Sequence, residues 1–296
     1  MSVTQQQIDQ MRKRITDEIF FALGLGRSGI FRQVLGWLFY LPTDRFARIF
    51  AAADEATSKE GLYGGARSIV RDLSIRLRVK GAEAIPPDGP LMVVSNHPGA
   101  YDSVAIAASV PRHDLKILVA ETSFYRTLPF ISQHMIFARD DPTSRMLSVR
   151  QAIRHLQNGG ALLQFGSGKI DADPAVEGTA VEDLANWSPS LNIMLRKAAE
   201  TRVVIAIASG VLLRRFAEHP FTRLRRQPMA RRRLAEFMQV IQQLLKPEAV
   251  HAQACLSFAP PVSVAELSEE AGPEPLLKVL LERARRLLEE HVADCG

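Results

Sequence analysis

The chain has 296 residues, of which 47% are hydrophobic and 23% charged, a composition that excludes a disordered or collagen-like protein and leaves enough apolar side chains for a globular core. We expect no signal peptide, and the longest uncharged part of the apolar region near the N-terminus, residues 33–43, is shorter than the about 20 residues that a membrane-spanning helix needs. The net charge is +5, and most of the basic excess lies in residues 214–233.

Residues 1–74 are predicted to form a helical N-terminal subdomain. Apolar residues recur at helical spacing in two stretches, and Pro42 is expected to break the helix between them. These apolar residues are Ile30, Val34, Leu38 and Leu41, followed by Phe46, Ile49 and Phe50. Trp37 and Tyr40 lie beside arginines in the first stretch, as in helices that lie in a membrane interface. The alternative is a small helical bundle packed on the main domain, the commoner role of such apolar stripes.

Residues 75–296 are predicted to form the main domain. Short apolar segments alternate with segments of helical composition, and the first of them alternates apolar and basic residues, as an edge strand does. The predicted strands are residues 75–79, 91–95, 115–120, 135–138, 161–165, 203–208 and 252–258, and the predicted helices are residues 103–110, 144–157, 190–200, 229–245 and 274–291. This order indicates an α/β fold with a mostly parallel central sheet covered by helices. Ligands of such sheets bind beyond the carboxyl ends of the strands.

The segment Asn96-His97-Pro98-Gly99-Ala100-Tyr101-Asp102 directly follows the predicted strand 91–95. His97 is therefore expected at the end of a strand, and Asp102 at the start of the next helix. A neutral histidine can accept a proton from an attacking hydroxyl group, and a carboxylate on its other ring nitrogen fixes the tautomer and stabilises the imidazolium. The pair contains no serine, so the nucleophile would come from the substrate. The alternative role for Asp102 is a helix N-cap.

The pattern of Asn96, His97 and Asp102 after an apolar strand resembles the first sequence block of the glycerolipid acyltransferases, the superfamily of glycerol-3-phosphate and lysophosphatidic acid acyltransferases. Residues 79–86, followed by Gly89-Pro90, are similar to the segment that precedes this block, and the resemblance covers about residues 75–265. It implies that His97 is the general base for the acceptor hydroxyl and that Asp102 orients it. The hydroxyl would attack the thioester of acyl-coenzyme A or an acyl-carrier protein.

The segment Ile136-Phe137-Ala138-Arg139 resembles the second block, in which a basic residue at a strand end helps to hold the phosphate of the acceptor. The resemblance therefore implies that Arg139 binds substrate. The alternative is a surface arginine that pairs with Asp140 or Asp141, since such surface ion pairs are common.

The third block departs from the pattern of many members, Phe-Pro-Glu-Gly-Thr, because this chain has Phe165-Gly166-Ser167-Gly168-Lys169, without the glutamate. With the following Asp171-Ala172-Asp173-Pro174, it is more similar to the plastid-type glycerol-3-phosphate acyltransferases, which have a Ser-Gly-Gly-Arg run and a helical N-terminal domain. Small residues expose backbone N–H groups and Lys169 adds a positive charge, so Ser167, Gly168 and Lys169 are predicted to bind the phosphate. The alternative is a flexible glycine turn with a solvated lysine.

Residues 214–233 contain eight arginines and one acid, Glu218, a net charge of +7 that leaves the rest of the chain near −2. The arginines are Arg214, Arg215, Arg223, Arg225, Arg226, Arg231, Arg232 and Arg233. Such a patch attracts an anionic partner, either an anionic membrane surface or an acidic acyl-carrier protein. No nucleic-acid-binding motif accompanies it, so nucleic acid is not expected as a partner. The alternative is a solvated surface.

The two cysteines, Cys255 and Cys295, lie in different surroundings, and Cys295 is one residue from the end of the sequence. Two such cysteines suggest neither a metal-binding spacing nor a disulfide framework, so we expect thiols in a reducing cytoplasm.

We therefore expect an acyltransferase of phospholipid biosynthesis that acts as a cytoplasmic, peripheral protein at the inner face of the membrane. Its substrates would be acyl-coenzyme A or acyl-carrier protein as donor, and glycerol 3-phosphate or a lysophospholipid as acceptor, and it would need no metal and no bound cofactor. The missing glutamate of the third block motivates the alternative, a catalytically altered lipid-binding protein of the same fold.

Overall fold

A computed structural model describes residues 5–22, 36–99, 101–139 and 141–295 of the chain. An eight-stranded sheet lies at its centre. The strands are β1 (Arg76–Lys80), β2 (Leu91–Ser95), β3 (Lys116–Ala120), β4 (Met135–Ala138), β5 (Ala161–Phe165), β6 (Arg202–Ser209), β7 (Gln253–Phe258) and β8 (Val262–Ser263). The strand order is β1-β7-β6-β2-β5-β3-β4, and β8 pairs with β6. Only the pairs that β6 forms with β7 and with β8 are antiparallel, so the predicted mostly parallel sheet is confirmed.

Helices flank the sheet. They are α1 (Gln5–Ala22), α2 (Tyr40–Asp72), α3 (Asp102–Ala107), α4 (Pro142–Gln157), α5 (Ala180–Leu184), α6 (Ser190–Lys197), α7 (Arg214–Ala217), α8 (Pro228–Leu245), α9 (Val264–Ala271) and α10 (Leu276–Cys295). Within the described ranges, no helix combines the length and the apolar character that crossing a membrane requires.

Strand β2 lies in the middle of the sheet and divides its side chains between two cores. Leu91 and Val93 pack in the core that includes residues of α1, α2 and α3, whereas Met92 and Val94 pack in the core that includes residues of α4, α6 and α10. All four side chains are fully buried, and each contributes roughly 1.5–3 kcal/mol relative to an exposed side chain. The end of β2 is therefore held in a fixed position from both faces.

The N-terminal helical region packs against the sheet through α2. The carboxylate of Asp54 accepts hydrogen bonds from the N–H of Phe130 at 3.0 Å and of Ile131 at 2.7 Å, which joins α2 to the segment before β4. Residues 36–38 are helical, and the helix is interrupted at Phe39, the N-cap of α2. Pro42 lies in the first turn of α2, where a missing N–H is tolerated, so the predicted break lies three residues before Pro42. The predicted apolar positions Ile30 and Val34 lie outside the described residues.

Strand directions bring the predicted site residues to one edge of the sheet. Strands β2 to β6 run in the same direction, and β1 and β7 run in the opposite direction. The carboxyl ends of β2, β4 and β5 therefore meet at the same edge, and His97, Arg139 and Ser167 each follow one of these ends.

Cys255 in β7 and Cys295 at the end of α10 form a disulfide, with their Cα atoms 6.4 Å apart. The expectation of thiols without a disulfide is therefore wrong. The pairing could not be predicted because the two cysteines are far apart in the sequence. They meet because the 20-residue α10 packs along β6 and β7 and ends beside Cys255. Since disulfides are rare in the cytosol, the cysteines do not support the predicted reducing environment.

Candidate active site

His97 lies in the turn directly after β2, at the edge where the parallel strands end. Its Nδ1 is 2.8 Å from Oδ2 of Asp102, the first residue of α3. The side chain of Asp102 is 0% exposed and that of His97 is 27% exposed, so the acid is enclosed while the imidazole reaches the surface. Among the described residues, none forms a hydrogen bond with the other ring nitrogen, Nε2. The two side chains therefore have the arrangement of a base and the acid that orients it.

Hydrogen bonds from the backbone of the turn hold the side chain of Asp102 in place. Its Oδ2 also accepts a hydrogen bond from the N–H of Gly99 at 3.0 Å, and its Oδ1 accepts one from the N–H of Ser103. Tyr101 occupies the N-cap position of α3, so Asp102 is not the N-cap that was considered as its alternative role.

Two further buried side chains hold the turn of His97. Asn96 donates through Nδ2 to the carbonyl oxygen of Ala208 at 2.9 Å and accepts at Oδ1 from the N–H of Ala208 at 2.8 Å, which joins the end of β2 to β6. The buried carboxylate of Asp171 accepts a hydrogen bond from the N–H of His97. Asp171 lies in the segment that follows the third block, and its contact with His97 was not predicted.

The charges around His97 favour its protonated form. Burial opposes the charged imidazolium, but the charge of Asp102 and its hydrogen bond outweigh burial, with smaller contributions from Glu236 and Asp171, so the pKa of His97 is raised to about 9. The ring also stacks on Phe165, with centroids 4.3 Å apart. At neutral pH the imidazole is therefore protonated in the free protein, and it can act as a base only after it loses this proton.

A second acid reaches the site from α8. Oε1 of Glu236 is buried and has no hydrogen-bond partner within the described residues. A Cβ atom added to Gly99 would lie 2.9 Å from this oxygen, so the carboxyl group packs against the turn between His97 and Asp102. Burial raises the pKa of Glu236 to about 8, although the charge of His97 opposes the shift. Glu236 was not predicted as a site residue, because its position within an arginine-rich helix offers no local signal for such a role.

The loop after β5 lies beside the turn of His97, because β5 is the neighbour of β2 in the sheet. The hydroxyl of Ser167 donates to Oδ1 of Asp171 at 2.7 Å, and its oxygen accepts the N–H of Lys169 at 3.1 Å. Gly168 has a φ of +64°, a left-handed conformation that favours glycine. Lys169 is exposed and forms no ion pair with a described residue. Ser167 thus shapes the loop, and Lys169 presents a positive charge at its tip.

Arg139 lies farther from His97 than the other predicted site residues. Strands β5 and β3 separate β4 from β2, which places the strand ends roughly 14 Å apart at the usual strand spacing. The exposed guanidinium of Arg139 forms an ion pair with Glu121, with Nη2 3.3 Å from Oε1. Its partner is thus an acid after β3 and not Asp141, and Asp140 lies outside the described residues.

The arginine-rich segment is not one uniform patch. The side chain of Arg232 is only 12% exposed and bridges Glu177 at 2.9 Å and Asp183 at 3.2 Å. Arg214 pairs with Glu218 at 3.2 Å. These contacts show that part of the cluster stabilises the fold.

Residues 221–226, which we call the arginine loop, contain three of the exposed arginines of this segment. Arg223, Arg225 and Arg226 are exposed, and no ion pair joins them to the described parts of the chain. Phe221 precedes these arginines and is 61% exposed, and Leu224 lies between Arg223 and Arg225 and is 78% exposed. The loop therefore combines positive charge with apolar side chains. A second exposed apolar group, Trp37, Tyr40 and Leu41, lies at the start of α2.

Residues 76–210 match the protein-family model described as Acyltransferase. The match begins with β1 and ends directly after β6, so it includes His97 and Asp102 and excludes Glu236. The fold is similar to the crystal structure of the 1-acyl-sn-glycerophosphate (LPA) acyltransferase PlsC from Thermotoga maritima, with 16% sequence identity, a TM-score of 0.50, and coverage of 96% of this chain and 93% of that chain. At this identity the likeness concerns the fold alone. No curated protein sequence matches the chain significantly.

Proposed function

From the match of residues 76–210 to the acyltransferase family model, we propose that the protein transfers a fatty acyl group from a thioester to a hydroxyl group of a glycerol-phosphate-type acceptor. The donor would be acyl-coenzyme A or an acyl-carrier protein, and the acceptor glycerol 3-phosphate or a lysophospholipid. The family match and the shared fold support the sequence resemblance to the glycerolipid acyltransferases. The observation that carries the proposal is the contact of His97 with Asp102 at the carboxyl edge of the sheet.

In the proposed reaction, neutral His97 takes the proton of the acceptor hydroxyl through Nε2 while the oxygen attacks the thioester carbonyl carbon. Asp102 keeps the ring oriented through Nδ1 and stabilises the imidazolium that forms. The C–S bond breaks as the new ester bond is completed, and the proton on His97 passes to the leaving thiolate. Backbone N–H groups near the strand ends would stabilise the negative charge on the carbonyl oxygen.

The acceptor's phosphate would be held by basic residues at the same edge. Lys169 follows β5, the neighbour of β2, and lacks an ion-pair partner among the described residues, so we assign it the principal contact with the phosphate. Ser167 and Gly168 give the loop the shape that presents the side chain of Lys169. The N–H groups of Gly166, Gly168 and Lys169 donate to Ser95, Phe165 and Ser167, so the predicted role of these backbone groups in binding phosphate is not supported. Arg139 would add a second contact by exchanging Glu121 for the phosphate, since exposed ion pairs contribute only about 0–1 kcal/mol.

The arginine loop would bring the enzyme to an anionic surface. Near an anionic membrane each basic residue adds about 1 kcal/mol of attraction, and the exposed Phe221, Leu224 and Trp37 could enter the interface. An acidic acyl-carrier protein would be attracted by the same charges. We therefore propose a peripheral protein that acts at an anionic membrane surface.

A thioester assay tests the proposal. The purified protein is incubated with acyl-coenzyme A or acyl-carrier protein thioester and with glycerol 3-phosphate, lysophosphatidic acid or another lysophospholipid, and the lipid product is identified by mass spectrometry. We expect thiol release that depends on the acceptor, together with the corresponding ester. Absence of both with every pair would contradict the proposal. Lipid binding without turnover would instead favour the second candidate, a lipid-binding protein, which the third block without its glutamate motivates.

A further inference from the structure

We propose that Glu236 contacts the acceptor and binds the hydroxyl group next to the one that His97 deprotonates, so that the site prefers an acceptor with two adjacent free hydroxyl groups. This inference rests on the proposed function, and it adds a substrate-contacting residue that lies outside the segment matching the family model. Among the two acceptors considered, it favours glycerol 3-phosphate, which has two adjacent hydroxyls, over lysophosphatidic acid, which has one free hydroxyl.

The position of Glu236 supports a direct contact with substrate. Its carboxyl group packs against Gly99, within the turn that carries His97, and Gly99 leaves the space that a larger residue would fill. The charges of His97 and Asp102 both act on Glu236, which places the three groups in one site. The same turn is anchored by Asp171, so the surroundings of the carboxyl group are well fixed.

The protein itself does not satisfy this carboxyl group. Oε1 is buried without a hydrogen-bond partner in the described chain. Arg232, one turn earlier on α8, is committed to Glu177 and Asp183 and forms no ion pair with Glu236. Buried polar atoms without partners are few in folded proteins, so this oxygen is a candidate to receive a hydrogen bond from a ligand group.

The chemistry of the surroundings selects a hydroxyl as that ligand group. An anionic phosphate beside Glu236 would be repelled by Asp102, whereas a neutral hydroxyl can donate to a carboxylate or accept from a carboxylic acid. A hydroxyl of the acceptor already lies at His97 in the proposed reaction. The next hydroxyl of a glycerol backbone is on the adjacent carbon, and we assign it to the carboxyl group of Glu236, which packs against the turn of His97.

The test compares Glu236→Ala and Glu236→Gln with the wild type, and it uses Glu248→Gln as the matched control, because Glu248 is an exposed acid shortly after the end of α8. Binding of glycerol 3-phosphate is measured by calorimetry, and KM and kcat are measured with glycerol 3-phosphate and with lysophosphatidic acid. We expect Glu236→Ala to weaken glycerol 3-phosphate binding and raise its KM about tenfold, with less than about a threefold change for lysophosphatidic acid. The KM of Glu236→Gln for glycerol 3-phosphate should lie between those of the wild type and Glu236→Ala, since an amide can still form a hydrogen bond.

A thermal melt separates this role from a structural one. Removing a buried group that has no partner should leave the melting temperature of Glu236→Ala unchanged or higher. A lower melting temperature with unchanged KM values would overturn the proposal, and so would equal losses for both acceptors. Wild-type protein that binds glycerol 3-phosphate without acylating it would refute the proposed function, while the binding data would still decide the role of Glu236. Wild-type protein that does not bind glycerol 3-phosphate would overturn the inference alone if it acylates lysophosphatidic acid.

Discussion

The N–H of His97 donates a hydrogen bond to Oδ2 of Asp171 at 2.9 Å, and the N–H of Asp171 donates one to the carbonyl oxygen of His97 at 2.8 Å. This reciprocal pair joins the turn after β2 to the loop after β5. The same carboxylate accepts the hydroxyl of Ser167, so both sides of the proposed site depend on it. Asp171 therefore positions the backbone of His97 without contacting the reacting atoms.

Replacing Asp171 should impair the rate more than substrate binding. In Asp171→Ala the N–H of His97 loses its acceptor, and we expect kcat to fall about 10- to 10²-fold because the imidazole is displaced. Asp171→Asn keeps an acceptor oxygen, so its kcat should fall much less than that of Asp171→Ala. The measurement is steady-state acyl transfer, with the exposed Asp88→Asn as control. Equal rates for Asp171→Ala and wild type would show that His97 is positioned without this carboxylate.

The raised pKa of His97 predicts an alkaline pH dependence. The imidazole is protonated below about 9 and cannot accept a proton, so kcat/KM should rise with pH from 6.5 toward 9. Asp102→Asn removes the charge that raises this pKa, so the rising limb should move toward the ordinary value of 6.5 while the maximal rate falls. The check is a pH–rate profile of both proteins, corrected for uncatalysed thioester hydrolysis. If the rising limb of the profile lies at the same pH in the wild type and in Asp102→Asn, the assignment of this limb to His97 is contradicted.

Charge reversal in the arginine loop should weaken membrane binding. Replacing Arg223, Arg225 and Arg226 by glutamate should reduce binding to phosphatidylserine-containing vesicles about 10²-fold or more, since each basic residue contributes about 1 kcal/mol. Vesicle sedimentation at low and high salt measures the effect. The control reverses Arg196, Arg285 and Arg286, which are exposed on other helices. Equal binding by the two triple variants would assign the attraction to overall charge and not to the loop.

The disulfide between Cys255 and Cys295 should stabilise the fold. It closes a loop with a sequence separation of 40, and its loss should lower the free energy of unfolding by about 2–4 kcal/mol. Urea unfolding with and without reductant measures the difference. A variant with both cysteines replaced by serine serves as control, because it should not respond to reductant. If reductant releases two thiols from the wild type without moving its midpoint, the predicted stabilisation is absent.

Most of the sheet was predictable from local patterns. The predicted strands 91–95, 135–138 and 161–165 agree with β2, β4 and β5. Buried strands of a parallel sheet are short apolar runs with turn-forming residues at both ends, and such runs are visible in the sequence. Residues 252–258 were predicted as the last strand, but the two-residue β8 follows, which is too short to produce a periodic pattern. The capping box of Ser263 and Glu266, at the start of α9, was a usable signal that the prediction missed.

The site was predictable only where its contacts are local. His97 and Asp102 are five residues apart, and a turn containing proline and glycine brings them together. Asp171 is 74 residues from His97, and Glu236 reaches the site from a helix beyond the last strand of the matched segment. Such contacts depend on how helices and loops pack on the sheet, and they cannot be predicted from the spacing of residues in the sequence.

The most direct test of the proposed chemistry is the turnover of His97→Ala, with His251→Ala, an exposed histidine, as the matched control. If His97 is the base, its loss should reduce acyl transfer at least about 10²-fold while the melting temperature and circular dichroism stay close to those of the wild type. The control should retain full activity. A folded His97→Ala protein that acylates the acceptor at the wild-type rate would contradict the role given to His97.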